Sequence, residues 1–172
     1  MTKNGRLTLR PWQKTDLESL CEYANNAKIA RFMTDRFPHP YGQKDGENFI
    51  AITTSSDNID KFRVIEVGGE FAGGIGIHPK DDVFRLNAEL AYWVAEPFWN
   101  RGIGTEAILQ MVDYAFTRFE VSRIFASVYG SNLASQRVLL KAGFDLESKI
   151  PKSVIKNEEI DDCLIYSIRK GV

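Results

Sequence analysis

The sequence predicts an α/β (α+β) fold, built on a mixed, mostly antiparallel central sheet of about seven strands with helices on both faces. Short runs with a period of two residues recur along the chain. In the first half these runs follow a helical segment and form a meander of hairpins, whereas in the second half strands alternate with amphipathic helices. That order is typical of a sheet covered by helices. A length of 172 residues suits one domain, which we expect to span residues 1–172.

The first half begins with an alternating strand at residues 6–10, which Pro11 ends. Thr15 or Asp16 can cap a helix that runs to about residue 24. Residues 31–46 are rich in Pro, Gly and charge and predict a long loop, and a second helix is expected at 47–55. A hairpin then joins strands 61–67 and 70–77 through Gly68 and Gly69.

The second half is predicted to contain two strand–helix steps followed by two more strands. After a turn at residues 78–82, which would leave His78 in solvent, a long strand is expected at 84–94. The remaining elements are helix 106–119, strand 122–128, helix 132–142 closed by Gly143, and strands 144–150 and 163–168 separated by a turn at 156–159.

Composition excludes several classes of protein. The chain is 44% hydrophobic and 26% charged with a formal net charge of −1, so there is no global basic field for nucleic acid or for a membrane. Two distant cysteines and two histidines predict neither a disulfide framework nor a metal site. The N-terminal segment lacks the pattern of a signal peptide, and no apolar run approaches 18 residues, so a cytoplasmic protein is expected.

The most informative segment is the glycine loop, residues 99–105, which leads from a strand into a helix. Unpaired backbone N–H groups and the positive end of the helix dipole favour a phosphate or pyrophosphate there. Gly102 and Gly104 let phosphate oxygens approach the backbone, and Arg101 adds a cation. A plain helix start is the alternative for this loop taken alone. The segment lacks GxxxxGK[ST] and the full GxGxxG, so neither a P-loop nor a Rossmann site fits.

Four segments together resemble the GNAT superfamily of acetyltransferases, and more narrowly the branch that contains ribosomal-protein N-terminal acetyltransferases. They are Ala88-Glu89-Leu90-Ala91-Tyr92-Trp93-Val94, Trp99-Asn100-Arg101-Gly102-Ile103-Gly104-Thr105-Glu106-Ala107, Asn132-Leu133-Ala134-Ser135 and Lys141-Ala142-Gly143-Phe144. Weaker matches occur at residues 9–11 and 37–41. The resemblance covers almost the whole chain, and the order and spacing of its motifs are specific.

The resemblance implies acetyl-CoA as co-substrate and no metal. It implies that the pyrophosphate lies on the backbone amides of Arg101, Gly102, Ile103, Gly104 and Thr105. It further implies that Trp93 and Val94 bond the pantetheine like an added strand, that Asn132 bonds the pantetheine arm, and that Ser135 lies near the thioester sulfur. Two positions depart from the broad superfamily pattern: Trp99 replaces the usual Gln or Arg, and Leu139 replaces a tyrosine that serves as general acid in many members.

The predicted reaction is direct attack of a primary amine on the thioester in a ternary complex. An alkyl ammonium must first lose a proton, and Glu89 is the candidate base. Ser135 is the candidate donor to the departing thiolate, with Tyr129 as a second acid. The alternatives are that Glu89 pairs with a basic residue or binds substrate, and that Ser135 bonds its own backbone.

The main alternative function is a non-catalytic acyl-CoA-binding regulatory module. Such a module could dispense with Glu89 and Ser135, and both are present. The acceptor is left open among protein N-termini, polyamines, amino acids and antibiotics. A monomer or a homodimer is expected.

Overall fold

The computed structural model describes residues 6–171 and contains one seven-stranded sheet. Its strands are β1 (Leu7–Arg10), β2 (Phe62–Val67), β3 (Glu70–Pro79), β4 (Asn87–Val94), β5 (Arg123–Tyr129), β6 (Asp145–Lys156) and β7 (Glu159–Arg169). The spatial order is β1-β2-β3-β4-β5-β7-β6. Only the β4–β5 neighbours are parallel, so the predicted mixed, mostly antiparallel sheet is confirmed.

Five α-helices cover the two faces of this sheet. They are α1 (Leu17–Ala24), α2 (Ala27–Ala30), α3 (Gln43–Thr53), α4 (Ile103–Arg118) and α5 (Leu133–Lys141). Consecutive residues of β2 show the two layers: the ring of Phe62 contacts Phe49 of α3, whereas Arg63 donates to the phenol of Tyr114 on α4. Because neighbouring strand residues point to opposite faces, α3 and α4 lie on opposite sides of the sheet.

The apolar core lies on both sides of the central strands. Ile108 and Met111 of α4 are fully buried, as the predicted apolar stripe of that helix requires. On β3, Ile77 is also fully buried. These side chains connect the sheet to α4 and fix the position at which that helix begins.

Several boundaries differ from the sequence expectation for local reasons. Helix α3 begins at Gln43, inside the predicted long loop, because the Asp45 carboxylate accepts the Gly42 N–H at 2.9 Å and caps its first turn. Helix α4 begins at Ile103 rather than at residue 106, since Gly102 adopts φ 77° and lets the helix start directly after it. Residues Asp82–Phe84 form a 3₁₀ turn, so β4 begins at Asn87.

The last two strands are longer than predicted. They form a hairpin whose turn lies at Asn157 and Glu158, both with positive φ, as a two-residue type I′ turn requires. The predicted turn at 156–159 is therefore confirmed. Beyond the irregularity between Ile150 and Val154, the two strands continue to pair up to Lys156 and Glu159, so both extend to the turn.

Candidate active site

A cleft opens between β4 and β5, which pair only at their first three positions. Residues 87–89 pair with 123–125, and within the described strands residues 90–94 and 126–129 have no mutual partners. Ala91 and Ser127, one in each unpaired part of the two strands, are exposed. Because the two strands are parallel, the cleft opens at the carboxyl ends of both.

The backbone of β4 alternates between β3 and the cleft. The Asn87 carbonyl accepts the Lys80 N–H, and the Ala95 N–H donates to the Ala72 carbonyl, so odd-numbered residues of β4 bond toward β3. The main chain of Trp93 therefore faces β3, and that of Val94 faces the cleft. Of the two residues predicted to bond the pantetheine, Val94 is the one whose main chain faces the cleft, and its carbonyl accepts the Trp99 indole N–H at 2.7 Å.

The glycine loop places the start of α4 at the end of β4. Asn100 and Gly102 both have positive φ (58° and 77°), and this reversal aims the first-turn amides of residues 103–105 away from the helix body. A Cβ at Gly102 would meet nothing within 4 Å, so the backbone there is open. The Arg101 side chain is exposed, with its guanidinium 5.2 Å from the centre of the Phe98 ring.

Glu89 lies at the closed end of the cleft, on the last residue pair that joins β4 to β5. Its Oε2 accepts from Lys80 Nζ at 2.8 Å and its Oε1 from Ser127 Oγ at 3.2 Å. The structure therefore contains the ion pair that was the alternative for this residue. On the neighbouring strand β3, His78 is opposite Glu89 and packs edge-on against Phe62.

The sequence predicts His78 in a solvated turn, but the residue lies within β3. Burial lowers the pKa of its imidazole below the ordinary value of 6.5, although the Glu89 carboxylate acts in the opposite direction. At neutral pH the ring is therefore uncharged. The uncharged imidazole lies beside Glu89. The positive charge next to that carboxylate therefore comes from Lys80 and not from His78.

Ser135 lies across the cleft, in the first turn of α5. Asn132 caps that helix, its Oδ1 accepting the Ser135 N–H at 3.2 Å. The Ser135 hydroxyl is 3.0 Å from the hydroxyl of Tyr92 on β4. Burial raises the pKa of the Tyr92 phenol, so this group is protonated at neutral pH.

Glu89 and Tyr92, two polar residues of β4, direct their side chains to opposite faces of the sheet. Glu89 and Tyr92 are three positions apart on β4, and strand alternation directs their side chains to opposite sides. Glu89 shares its face with Phe125 and Ser127, and Tyr92 shares the other with α4 and α5. An acceptor and a cofactor thiol can therefore approach the cleft from different sides.

A cavity of about 230 Å³ lies beyond the end of β5. Phe32, Tyr129, Ser131, Lys156 and Asp161 contribute to its wall. The hydroxyl of Tyr129 donates to the Met33 carbonyl at 3.1 Å, and burial raises its pKa. Ser131 gives Asp161 both its backbone N–H and its hydroxyl, which lowers the pKa of that carboxyl.

Four aromatic residues of the first half of the chain, Trp12, Phe32, Phe37 and Tyr41, divide between the core and the cavity. Trp12 and Tyr41 are buried in the core, and Phe37 packs between Tyr41 and Trp93. Only Phe32 lines the cavity. Leu139 is fully buried, in keeping with an apolar rather than an acidic role.

Three polar groups of the cleft were not singled out from the sequence: Lys80, Tyr92 and Ser127. The alternation of β4 did separate Tyr92 from Glu89. Nothing local, however, pairs Tyr92 with Ser135, 43 positions away, or Ser127 with Glu89, 38 positions away. Between residues 6 and 171, no helix has the length and apolarity needed to cross a membrane, and no three acidic, histidine or cysteine side chains group as metal ligands.

Known proteins share both the sequence pattern and this architecture. The family model of the acetyltransferase (GNAT) domain matches residues 6–145. YoaA of Bacillus subtilis, named an uncharacterized N-acetyltransferase, is 30% identical over 98% of this chain and 96% of its own length. YdaF of the same organism is 33% identical over 97% of this chain and 93% of its own.

A solved structure with the same fold is that of Mycobacterium smegmatis RimJ in complex with a CoA-disulfide. It superposes with a TM-score of 0.82 at 23% identity, covering 96% of this chain and 82% of RimJ. Together with the family match, these relatives show that the chain belongs to the GNAT acetyltransferase family. Membership of that family makes it an acyl-CoA-dependent N-acetyltransferase.

Proposed function

We propose that this enzyme transfers the acetyl group of acetyl-CoA to a primary amine by direct attack within a ternary complex. The observation that carries the proposal is the cleft between β4 and β5, with the open first turn of α4 beside the end of β4. This arrangement offers main-chain hydrogen bonds to an extended thioester arm and backbone amides to its pyrophosphate.

The cofactor would lie along the cleft with its pyrophosphate on the amides of residues 101–105. The main chain of Val94 would bond the pantetheine. Because Asn132 Oδ1 caps α5, the Nδ2 group is the atom of that side chain that would donate to the pantetheine. The CoA-disulfide bound by the structural neighbour RimJ supports this use of the fold.

The chemistry would begin with removal of a proton from the acceptor ammonium by Glu89, directly or through a water. The amine nitrogen then forms a bond to the thioester carbon, and the carbonyl oxygen takes the negative charge. The Val94 N–H faces the cleft and would stabilise that oxygen. As the tetrahedral intermediate collapses, the carbon–sulfur bond breaks and the Ser135 hydroxyl would donate a hydrogen bond to the departing thiolate. The attacking nitrogen would release its second proton, which leaves a neutral amide.

The acceptor would enter from the face that carries Glu89 and Ser127. The cavity beyond β5 lies on this side, because Tyr129 follows Ser127 by two residues on the same strand face. Its wall combines aromatic rings with the ionised Asp161 carboxylate and Lys156, which is paired with Asp35 at 2.8 Å. These groups suit a polar, charged amine rather than an apolar one.

Calorimetric titration followed by a turnover assay tests this function. We expect acetyl-CoA and CoA to bind much more tightly than ATP. Thiol release should then depend on a primary amine, tested with spermidine and with a tetrapeptide that has a free serine N-terminus. Binding without thiol release from a wider amine set would favour the regulatory module, and no CoA binding would refute the assignment of the cleft.

Replacing Glu89 by Gln tests the base. We expect kcat to fall by about 100-fold, the lower end of the usual contribution of a general base, with little change in the affinity for acetyl-CoA. Glu147→Gln is the matched control, because Glu147 is also a strand carboxylate in an ion pair, at 3.0 Å from Arg123. An unchanged kcat in Glu89→Gln across the pH range would remove Glu89 as the base.

A further inference from the structure

The phenol of Tyr92 is a buried polar group for which the reaction scheme above has no role. Its hydroxyl meets the Ser135 hydroxyl at 3.0 Å, between the middle of the cleft and the first turn of α5. A buried tyrosine O–H needs an acceptor, and in the described part of the chain the contact recorded for it is with Ser135. The environment of this phenol therefore favours donation to the serine oxygen.

The direction of this hydrogen bond decides where the serine hydrogen points. A serine hydroxyl has one hydrogen and two acceptor sites. If Ser135 donated to Tyr92, its only hydrogen would be used inside the protein. If Tyr92 donates, the serine hydrogen remains available to a group in the cleft.

The ring of Tyr92 lies beside the first turn of α4, near the point where α5 approaches that helix. A Cβ built on Gly104, in the first turn of α4, would lie 3.5 Å from Cε2 of the ring and 3.4 Å from Cγ1 of Val138 on α5. The ring is thus packed where the glycine-loop helix and α5 approach each other.

We propose that Tyr92 is a positioning residue for the thiolate leaving group, acting through Ser135. Tyr92 donates to Ser135 Oγ and thereby directs the Ser135 hydrogen toward the sulfur atom of CoA. When the carbon–sulfur bond breaks, its electron pair stays on sulfur, and the Ser135 O–H donates to it. Tyr92 keeps its own proton throughout, as expected of a phenol whose pKa burial raises. The proposal rests on the acetyl-transfer function proposed above.

A double-mutant cycle tests the proposal. With acetyl-CoA and whichever of spermidine or the serine tetrapeptide the wild-type enzyme acetylates, Tyr92→Phe should lower kcat by about three- to tenfold, as expected for one hydrogen bond. The KM for acetyl-CoA should stay within about twofold of the wild-type value. In a Ser135→Ala background, Tyr92→Phe should have no further effect on kcat.

Tyr114→Phe is the matched control. The Tyr114 hydroxyl accepts from Arg63 at 2.6 Å and donates to the Asp60 carbonyl, at the start of β2 rather than in the cleft between β4 and β5. Its loss should leave kcat unchanged. A wild-type kcat in Tyr92→Phe, or an equal loss with and without Ser135, would overturn the proposal. Absence of turnover in the wild-type enzyme would instead refute the acetyl-transfer function. Thermal melting of each variant shows whether a lowered kcat reflects unfolding.

Discussion

At the scale of single residues, Gly102 has the most demanding position in the candidate site. It combines a left-handed backbone with open space in front of it, and it precedes the first amides of α4. A side chain there must accept an unfavourable φ and would project into the region assigned to the pyrophosphate. The residue is thus constrained by its conformation and by its proposed ligand, and the two constraints can be separated.

Gly102→Glu should abolish acetyl-CoA binding in a calorimetric titration, because it adds a carboxylate where a pyrophosphate is expected. Gly69→Glu is the matched control: Gly69 also has positive φ (88°) and open space around its Cβ position, but it lies in the β2–β3 turn. Both variants should show a similar decrease in the free energy of unfolding. Only Gly102→Glu should lose affinity for acetyl-CoA. Affinity retained in Gly102→Glu would contradict the loop assignment.

At the scale of elements, the first turn of α5 has two functions in one short segment. Asn132 caps the helix through Oδ1, and Ser135 occupies the position whose N–H is capped. The cap stabilises the turn that presents the Ser135 hydroxyl to the cleft. The cap and the proposed cofactor-binding role of Asn132 therefore involve different atoms of the same side chain.

Asn132→Ala should lower the free energy of unfolding by about 1 kcal/mol through loss of the cap, which corresponds to about 2–4 °C in Tm. Asn132→Asp keeps a capping oxygen and should melt close to the wild-type temperature. Both changes remove the Nδ2 donor, and both should weaken acetyl-CoA binding by at least about threefold. If Asn132→Asp bound acetyl-CoA as well as the wild type does, Nδ2 would not contact the cofactor.

At the scale of the whole molecule, the candidate site lies where two neighbouring strands of the sheet separate. Strands β4 and β5 are parallel neighbours joined at three positions, and their carboxyl ends separate where α4 and α5 begin. Charged side chains lie at the closed end of the cleft. Glu89 and Lys80 form an ion pair there, with uncharged His78 opposite Glu89 on β3.

The lowered pKa of His78 predicts a pH dependence of global stability. The unfolded chain takes up a proton on this residue near pH 6.5, whereas the folded chain does so only at lower pH. In that window the unfolded state binds more protons, so the free energy of unfolding falls as the pH decreases below 6.5. The charged groups that act on His78 are Glu89, Lys80 and Lys61.

Urea unfolding of the wild-type and His78→Gln proteins between pH 7.5 and pH 5 measures this effect, with the pH values chosen to bracket the ordinary histidine pKa. The difference in stability between the two should shift in favour of the variant as the pH falls. His39→Gln is the control, since His39 is exposed and should leave the wild-type dependence in place. Parallel curves for wild type and His78→Gln would contradict the assigned shift.

The sequence by itself determined the features that depend on neighbours along the chain. Alternation of side chains located the strands, a period of 3.6 located α4, and the turn residues located both hairpins. The glycine loop was readable for the same reason, since helix starts have local chemistry. The start of α4 was placed three residues late because the effect of a left-handed Gly102 was not anticipated.

Only the tertiary structure decided which distant groups meet. The Tyr92–Ser135 contact, the two partners of Glu89 and the burial of His78 all depend on strand order and register. The same is true of whether the main chain of Trp93 or that of Val94 faces the cleft, which depends on which side of β4 faces a partner strand. Local patterns fix the direction of a side chain relative to its own strand. What lies in that direction depends on how the entire chain buries its apolar surface, which no single segment encodes.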